Sequence, residues 1–199
     1  MNVFVLSTGR CGSTTLARAC SHICNFTSAH ESNRSKPVME RLDYPPNHIE
    51  IDNRLSWFLG ELANRYGSDA YYVHLKRAPE SVAESFMHRW RPRGSIIRGF
   101  GRNILCVTEQ TIDVARLYVS CVNSNIEHFL YDKPHSMTIE LEHMEEHFAE
   151  FWSWIEAEGD LDQAIEQLRQ PHNSTPRSAA AHRVRQVLRA AKRSLRGNS

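Results

Sequence analysis

Residues 3–16 of this 199-residue chain have the sequence VFVLSTGRCGSTTL, and their character changes twice. Residues 3–6 form a continuous apolar run, which is typical of a parallel strand buried on both faces. Gly9 and Gly12 give the backbone the freedom that a tight turn needs. After Gly12 the apolar residues recur at helical spacing. The stretch therefore predicts a buried strand, a tight turn and a helix that continues to about residue 25.

The turn and the start of this helix suit an anionic ligand. The first turn of a helix leaves backbone N–H groups without intrahelical partners and carries a partial positive charge. The side chains there add one guanidinium and three hydroxyls, those of Arg10, Ser13, Thr14 and Thr15. A phosphate group is the simplest ligand for such a site. A glycine-containing turn that binds nothing is the alternative.

The ATP-binding motif GxxxxGK[ST] does not describe this turn, because the loop is shorter and no lysine precedes the hydroxyls. Residues 9–14, GRCGST, instead resemble the 5′-phosphosulfate loop P-[KR]-S-G-T-T of sulfotransferases. These enzymes use the donor 3′-phosphoadenosine-5′-phosphosulfate (PAPS). Arg10 matches the basic position and Gly12 the glycine of the motif. Two positions depart from it, since Gly9 replaces the proline and Cys11 the serine.

A second informative block is formed by residues 71–86, YYVHLKRAPESVAESF. A β-prone strand ends at residues 76–77, and Pro79 suits the first turn of a helix. Arg77 and Ser85 have the spacing of the 3′-phosphate motif R-[ND]-P-x-x-x-x-x-S, so this block resembles the same family. Arginine suits this role because its planar fork can bind two phosphate oxygens. An arginine in a surface ion pair and an ordinary helix serine are the alternative.

PAPS has phosphate groups at the 3′ and 5′ positions of its adenosine, and the two blocks offer two phosphate sites. The resemblance implies PAPS as co-substrate, 3′-phosphoadenosine 5′-phosphate (PAP) as product, and no metal. It implies that Arg10 stabilises the leaving oxygen and that Arg77 and Ser85 anchor the 3′-phosphate. The other residues that it places around the 5′-phosphosulfate are Cys11, Gly12, Ser13, Thr14 and Thr15. It covers about residues 3–31 and 70–90 and is weak beyond them.

The candidate general base follows a second predicted strand, residues 26–29. In tyrosylprotein-type and several bacterial sulfotransferases, a glutamate just after the second strand is the proposed base. Glu31 lies in that place, 21 residues after Arg10, and the resemblance therefore makes it the first candidate. His30 is the second candidate. Both side chains could also lie in a solvated loop.

The remaining pattern predicts an α/β protein with one domain, residues 1–199. Residues 35–50 are predicted as an irregular loop, and Asn53 as the cap of a helix over residues 54–66. Further elements are predicted as a helix over 108–131, a strand over 135–140, and helices over 142–168 that break at 159–160. The resemblance implies a P-loop-type three-layer α/β/α fold with a central, mostly parallel sheet and a helix-rich C-terminal half.

The end of the chain has a biased charge. Residues 177–199 have no acidic side chain, and they are predicted as a basic helix or tail. Docking on the acidic helices before it is favoured over contact with an anionic partner. In the family that the chain resembles, a late loop covers the nucleotide, which makes Asn173 and Ser174 further candidates for cofactor binding.

The composition limits the function classes. The hydrophobic fraction is 41%, the charged fraction 24% and the formal net charge +1, which is typical of a globular protein and not of an overall nucleic-acid binder. No apolar run approaches 18 residues and no signal peptide is recognised, so no membrane span is predicted. Five cysteines without CxxC or zinc spacing favour a reduced, cytoplasmic compartment.

The sequence prediction is thus a PAPS-dependent sulfotransferase that acts on a small-molecule, glycan or peptide acceptor through a hydroxyl or amine. The oligomeric state and the acceptor's identity stay open. One alternative is a small P-loop kinase or other NTPase, although the loop lysine and a convincing metal-binding aspartate after a strand are missing. The other is a non-catalytic nucleotide-binding protein of the same fold.

Overall fold

A five-stranded parallel sheet forms the centre of the structure, a computed structural model that describes residues 1–90 and 94–170. The strand order is β2-β3-β1-β4-β5, and every neighbouring pair is parallel. The strands are β1 (Asn2–Leu6), β2 (Thr27–His30), β3 (His48–Ile51), β4 (Tyr71–Lys76) and β5 (Ser136–Glu140). The predicted α/β class and parallel sheet are confirmed.

Helices connect and cover these strands. They are α1 (Ser13–Cys20), α2 (Leu59–Tyr66), α3 (Pro79–Met87), α4 (Ile96–Gly99), α5 (Ile112–Leu130), α6 (Met144–Trp154) and α7 (Leu161–Arg169). Helix α1 packs against α7, and α7 also contacts α6, while α3 packs against α5. The second half of the described chain is rich in helix, as predicted, with β5 as its strand. The core is formed by the buried strands β1 and β4 with the apolar faces of these helices.

Strand β3 is the main difference from the prediction, which treated residues 35–50 as an irregular loop. His48–Ile51 is a strand, and it lies between β1 and β2 in the sheet. It was missed because His48 and Glu50 are polar and no continuous apolar run is present. Both side chains are nevertheless buried. They satisfy each other, since His48 Nε2 lies 3.0 Å from Glu50 Oε2.

Two predicted helices have different boundaries. Helix α1 ends at Cys20 and not near residue 25, because the next residues bond to the α6–α7 connection. There the Cys24 N–H donates to the Glu158 carbonyl at 2.7 Å. The predicted helix over 54–66 is a 3₁₀ turn, Asn53–Trp57, followed by α2. Asp52, and not Asn53, caps this turn through its carboxylate, which accepts from the Arg54 N–H.

The C-terminal predictions have mixed outcomes. Helix α5 begins at Ile112, where Thr111 caps it, and not at residue 108. The predicted break at 159–160 falls between α6 and α7. Residues 177–199, and with them the predicted docking of the basic tail, lie outside the described residues. The single domain over 1–199 stays a prediction. In the described part of the chain, no helix is long and apolar enough to cross a membrane.

A buried histidine between β4 and α5 gives the fold a predictable pH dependence. His74 Nε2 lies 3.2 Å from Asn123 Oδ1, and burial lowers the pKa of His74 to about 4. An unfolded histidine has a pKa of about 6.5, so between these two values the unfolded chain binds more protons. The stability that His74 contributes is therefore complete above about pH 6.5 and falls as the pH decreases toward 4.

We expect the free energy of unfolding to lose about 2 kcal/mol through His74 between pH 7 and pH 5. Urea unfolding of the wild type and of His74→Gln at both pH values measures this contribution. The difference between the two pH values should be smaller in the variant by that amount. An identical pH dependence in both proteins would show that His74 titrates normally in the folded state.

Candidate functional site

The carboxyl ends of β1, β2 and β3 lie together at one edge of the sheet. His30 pairs with Ile51, and Ile51 pairs with Val5, so these three strand ends are in register. Strand β4 ends beside them, with His74 opposite Leu6. Parallel α/β sheets bind their ligands at this edge. The site residues that the sequence predicted within the described ranges lie at the end of β2, in the loops after β1, β2 and β4, and in the helices α1 and α3 that follow.

The loop between β1 and α1 has an unusual backbone. Gly9, Arg10 and Gly12 all have positive φ, at 83°, 64° and 90°. A Cβ at Gly12 would also lie 2.7 Å from Leu141 Cδ1, so the end of that side chain would have to move to accommodate one. Gly12 caps α1 without a side chain, and no acidic residue lies in the first turn. The first N–H groups of α1 therefore face no competing carboxylate from that turn, which suits an anion.

Side chains from distant elements hold this loop from behind. The Tyr118 hydroxyl on α5 donates to the Thr8 carbonyl at 3.0 Å. The Ser56 hydroxyl donates to the Ser7 carbonyl, also at 3.0 Å. Tyr118 is buried among aromatic rings, with the centroid of Phe86 at 5.0 Å. The Ser7 and Thr8 carbonyls are thus directed into the protein, and the surrounding fold helps to set the shape of the loop.

The two sequence blocks meet in an arginine cluster that consists of Arg10, Arg77 and Arg89. Arg10 Nε donates to the Ser85 hydroxyl at 3.0 Å, and Arg77 Nη1 donates to the Arg10 carbonyl at 3.2 Å. Burial lowers the pKa of Arg10, and the positive charges of Arg89 and Arg77 lower it further. Crowding of like charges in a half-buried site is unfavourable without an anion. The cluster is therefore a strong candidate for binding phosphate groups.

The hydroxyl residues of the loop differ in exposure. Ser13 and Thr14 are half-buried at the start of α1, whereas Thr15 is buried. Ser13 and Thr14 therefore have the exposure that contact with a ligand needs. Thr15 is only 6% exposed, so its hydroxyl has little surface to offer.

Cys11 points into the protein. Its Sγ donates to the Gly9 carbonyl at 3.3 Å and lies 3.2 Å from Thr8 Oγ1. Burial raises the pKa of the Cys11 thiol to about 11, so the thiol is neutral near pH 7. The sequence grouped Cys11 with the binding residues, whereas its side chain packs on the inner face of the loop.

The two candidate bases lie directly after β2 and have different surroundings. His30 Nε2 lies 3.0 Å from Ser13 Oγ, so the imidazole contacts the start of α1. Glu31 has a φ of 53°, and its Oε2 forms an ion pair with Arg54 Nη1 at 2.6 Å. Arg34 approaches the same oxygen at 3.8 Å. The structure therefore places both candidates at the site edge, with only Glu31 in an ion pair.

Sequence reasoning missed the polar residues at the end of β3. Glu50 and Asp52 are both completely buried. The Ser32 N–H and hydroxyl donate to the Glu50 carboxylate at 2.9 and 2.6 Å. Asp52 accepts from Arg41 Nη2 at 3.0 Å, while burial raises the pKa of Asp52. The alternation of polar and apolar residues over residues 48–51 has the period of a strand and could have identified them.

Two predicted site residues, Asn173 and Ser174, lie outside the described residues. Across residues 1–90 and 94–170, no group of three or more His, Cys, Asp or Glu side chains could hold a metal ion. The absence of a metal requirement stays a prediction.

Comparison with known proteins supports the fold. No protein-family model matches the chain, and no curated protein matches it. Among solved structures, the chain is similar to the mouse sulfotransferase SULT7A1 complexed with PAP, with a TM-score of 0.55 and 12% identity. The match covers 84% of this chain and 62% of the mouse protein, so the chain spans less than two thirds of that protein's length. The chain thus has a sulfotransferase-like α/β fold.

Proposed function

We propose that this protein is a sulfotransferase that moves a sulfuryl group from PAPS to a hydroxyl or amine acceptor and releases PAP. The observation that carries the proposal is the contact between the two sequence blocks. Arg10 of the first block bonds to Ser85 of the second, and Arg77 bonds to the Arg10 carbonyl. PAP has phosphate groups at two positions, and the mouse sulfotransferase of similar fold is a PAP complex.

The proposed binding residues form two groups, one for the 5′-phosphosulfate and one for the 3′-phosphate of the donor. The start of α1, with Ser13 and Thr14, holds the 5′-phosphosulfate through N–H groups and hydroxyls. Arg77 and Ser85 hold the 3′-phosphate. Arg10 stabilises the charge that develops on the bridging oxygen as the sulfuryl group leaves. The reaction then needs positioning and positive charge, as in phosphoryl transfer, and the arginines supply that charge.

The acceptor needs a group that removes its proton. Glu31 is the first candidate, because its carboxylate lies at the end of β2 and forms an ion pair with Arg54. His30 is the second, because its imidazole contacts Ser13 at the start of α1. Either side chain would accept the proton of the acceptor's hydroxyl or amine as the oxygen or nitrogen attacks sulfur. The acceptor class, a small molecule, glycan or peptide, is part of the proposal.

The first test uses ligand-induced stabilisation and the Arg77→Ala variant. PAP at about 100 times its dissociation constant should stabilise the wild type by about 2.7 kcal/mol, which raises Tm by about 5–10 °C. In Arg77→Ala we expect PAP affinity to fall about 10- to 100-fold, because charged hydrogen bonds contribute about 1.5–3 kcal/mol. Adenosine 5′-phosphosulfate has no 3′-phosphate, and its affinity should change little. Calorimetric titration measures both affinities.

Arg116→Ala is the matched control, because Arg116 forms an exposed ion pair with Glu80 on the outer faces of α5 and α3. Its affinity for both ligands should equal that of the wild type. Equal losses for PAP and adenosine 5′-phosphosulfate in Arg77→Ala would contradict the 3′-phosphate role. Stabilisation by ATP with magnesium, but not by PAP, would favour a kinase or NTPase. No response to any nucleotide would leave a protein of this fold that does not bind them.

A further inference from the structure

The turn that contains the candidate base, residues 30–33, is held in a strained conformation. We refer to it as the base turn. Glu31 has a φ of 53°, in the left-handed region that non-glycine residues rarely adopt. Such a conformation persists where the surrounding structure determines it, and it is common at functional sites. The contacts that hold Glu31 in this conformation come from strand β3 and from Arg54.

Strand β3 fixes the backbone of the base turn. The Glu31 N–H donates to the Ile51 carbonyl at 3.2 Å, which extends the β2–β3 ladder by one bond. The Ser32 N–H and hydroxyl both donate to the buried Glu50 carboxylate. His48 Nε2 lies 3.0 Å from the same carboxylate, so Glu50 is itself held in one position. The path of the chain through Glu31 is thus set by the neighbouring strand.

Arg54 forms an ion pair with the side chain of Glu31, although this contact lacks hydrogen-bond geometry. Its Nη1 lies 2.6 Å from Glu31 Oε2 and 3.6 Å from Asp52 Oδ1. Asp52 is completely buried and is held by Arg41 Nη2 at 3.0 Å. Arg54 therefore connects an immobile carboxylate in the protein interior with the candidate base at the edge of the site.

The segment that contains Arg54 also contacts the phosphosulfate loop. A Cβ built on Gly9 would lie 3.3 Å from Asn53 Cγ, so the neighbour of Arg54 packs directly on the loop. The loop and the Glu31 carboxylate are thus positioned by adjacent residues of the same 3₁₀ turn. A change in this turn would alter the distance between the donor and the base.

We propose that Arg54 is a positioning residue for Glu31, one that holds the carboxylate where it can accept the acceptor's proton. This inference rests on the proposed function, with Glu31 as the base. A general base must lie within hydrogen-bond reach of the proton that it removes. A misplacement of about 1 Å at a reacting group can lower a rate about 100-fold. Arg54 would act through this distance, without contacting the donor.

Variants of Arg54 test the proposal, with Arg34 as the matched control. Arg54→Met removes the charge at similar length, and kcat should fall about 10- to 100-fold while KM for PAPS stays within about twofold. Arg54→Lys keeps a charge near Asp52 and should recover part of the rate. Arg34 is 68% exposed and lies 3.8 Å from Glu31, so Arg34→Met should behave as the wild type. Initial rates at varied PAPS and acceptor concentrations separate kcat from KM.

A double variant separates positioning from a direct role. If Arg54 acts through Glu31, Arg54→Met should cause no further loss of kcat when Glu31→Gln is already present. A full additional loss in that background would overturn the proposal. A rise in KM for the acceptor at unchanged kcat would also overturn it, because Arg54 would then bind substrate.

NMR relaxation at the Glu31 carboxyl carbon tests the positioning without any activity. The Glu31 side chain should be more mobile in Arg54→Met than in the wild type and unchanged in Arg34→Met, because β3 holds the backbone of the base turn in all three proteins. Greater mobility in Arg54→Met, together with a wild type that transfers no sulfate, would support the positioning role and reject the proposed function. An unchanged Glu31 side chain in Arg54→Met would overturn the positioning role, whether or not the protein transfers sulfate.

Discussion

Arg10→Ala is expected to lower kcat for sulfuryl transfer by about 10²- to 10³-fold, the loss that follows removal of one main donor to developing charge. The Arg10 guanidinium lies at the phosphosulfate loop, with its Nε directed by the Ser85 hydroxyl at 3.0 Å. The positive charges of Arg77 and Arg89 beside it concentrate positive potential in the same place. The transition state carries more negative charge on the leaving oxygen than the ground state, so kcat should fall more than PAP affinity.

The controls for Arg10 address its backbone and its charge. Arg10 has a φ of 64°, so alanine stays strained there while glycine does not. Arg10→Gly should therefore lose as much activity as Arg10→Ala if the side chain is responsible. Arg10→Lys keeps the charge without the planar fork, and it should retain an intermediate rate. Rates of sulfate transfer from labelled PAPS measure all three, and a rate within threefold of the wild type in Arg10→Ala would contradict the assigned role.

The parts of the fold that the sequence predicted are those with local signals. The apolar run before Gly9 and the helical spacing after Gly12 lie within 14 residues, and they produced β1, the loop and α1. Pro79 marked the first turn of α3 for the same kind of reason, since its fixed φ suits that position. Such local patterns can be recognised without knowing which residues pack against these elements.

The alternation over residues 48–51 has the period of a strand, but the burial of β3 could not be recognised in this way because it depends on neighbours that are distant in the chain. Glu50 is a buried carboxylate, which is stable only because Ser32 and His48 bond to it. His48 is on the same strand, whereas Ser32 is adjacent to Glu50 only once β3 pairs with β2. Arg54 was missed for the same reason, since its contact with Glu31 crosses from the end of β3 to the end of β2.

In the site, too, some features were predictable from nearby residues in the sequence, whereas others depend on the folded backbone. The spacing of Arg77 and Ser85 was visible in the sequence; Arg77 precedes α3, and Ser85 is buried in the last turn of that helix. The inward direction of Cys11 was not visible, because it depends on the positive φ of Arg10 before it. The motif resemblance identified which residues form the site. The backbone conformation of the loop determines which of their atoms face a ligand.

Glu31→Gln is expected to lower kcat by about 10²- to 10⁴-fold, the contribution of a positioned general base. Glutamine has nearly the shape of glutamate, but its amide does not accept the acceptor's proton. In the described part of the chain, the Glu31 side chain forms ion pairs with Arg54 and Arg34 and none with the arginine cluster. PAP affinity should therefore equal that of the wild type, and calorimetry checks this beside the rate measurement.

His30→Gln distinguishes the two candidate bases. Glutamine can still contact the Ser13 hydroxyl, as His30 Nε2 does at 3.0 Å, so the start of α1 should be little disturbed. If Glu31 is the base, His30→Gln should lose less than about tenfold in kcat, since it removes a neighbour of the donor site and not the proton acceptor. If activity survives Glu31→Gln unchanged and falls in His30→Gln, the imidazole is the base. In that case the ion pair with Arg54 fixes the turn beside the base, and not the base itself.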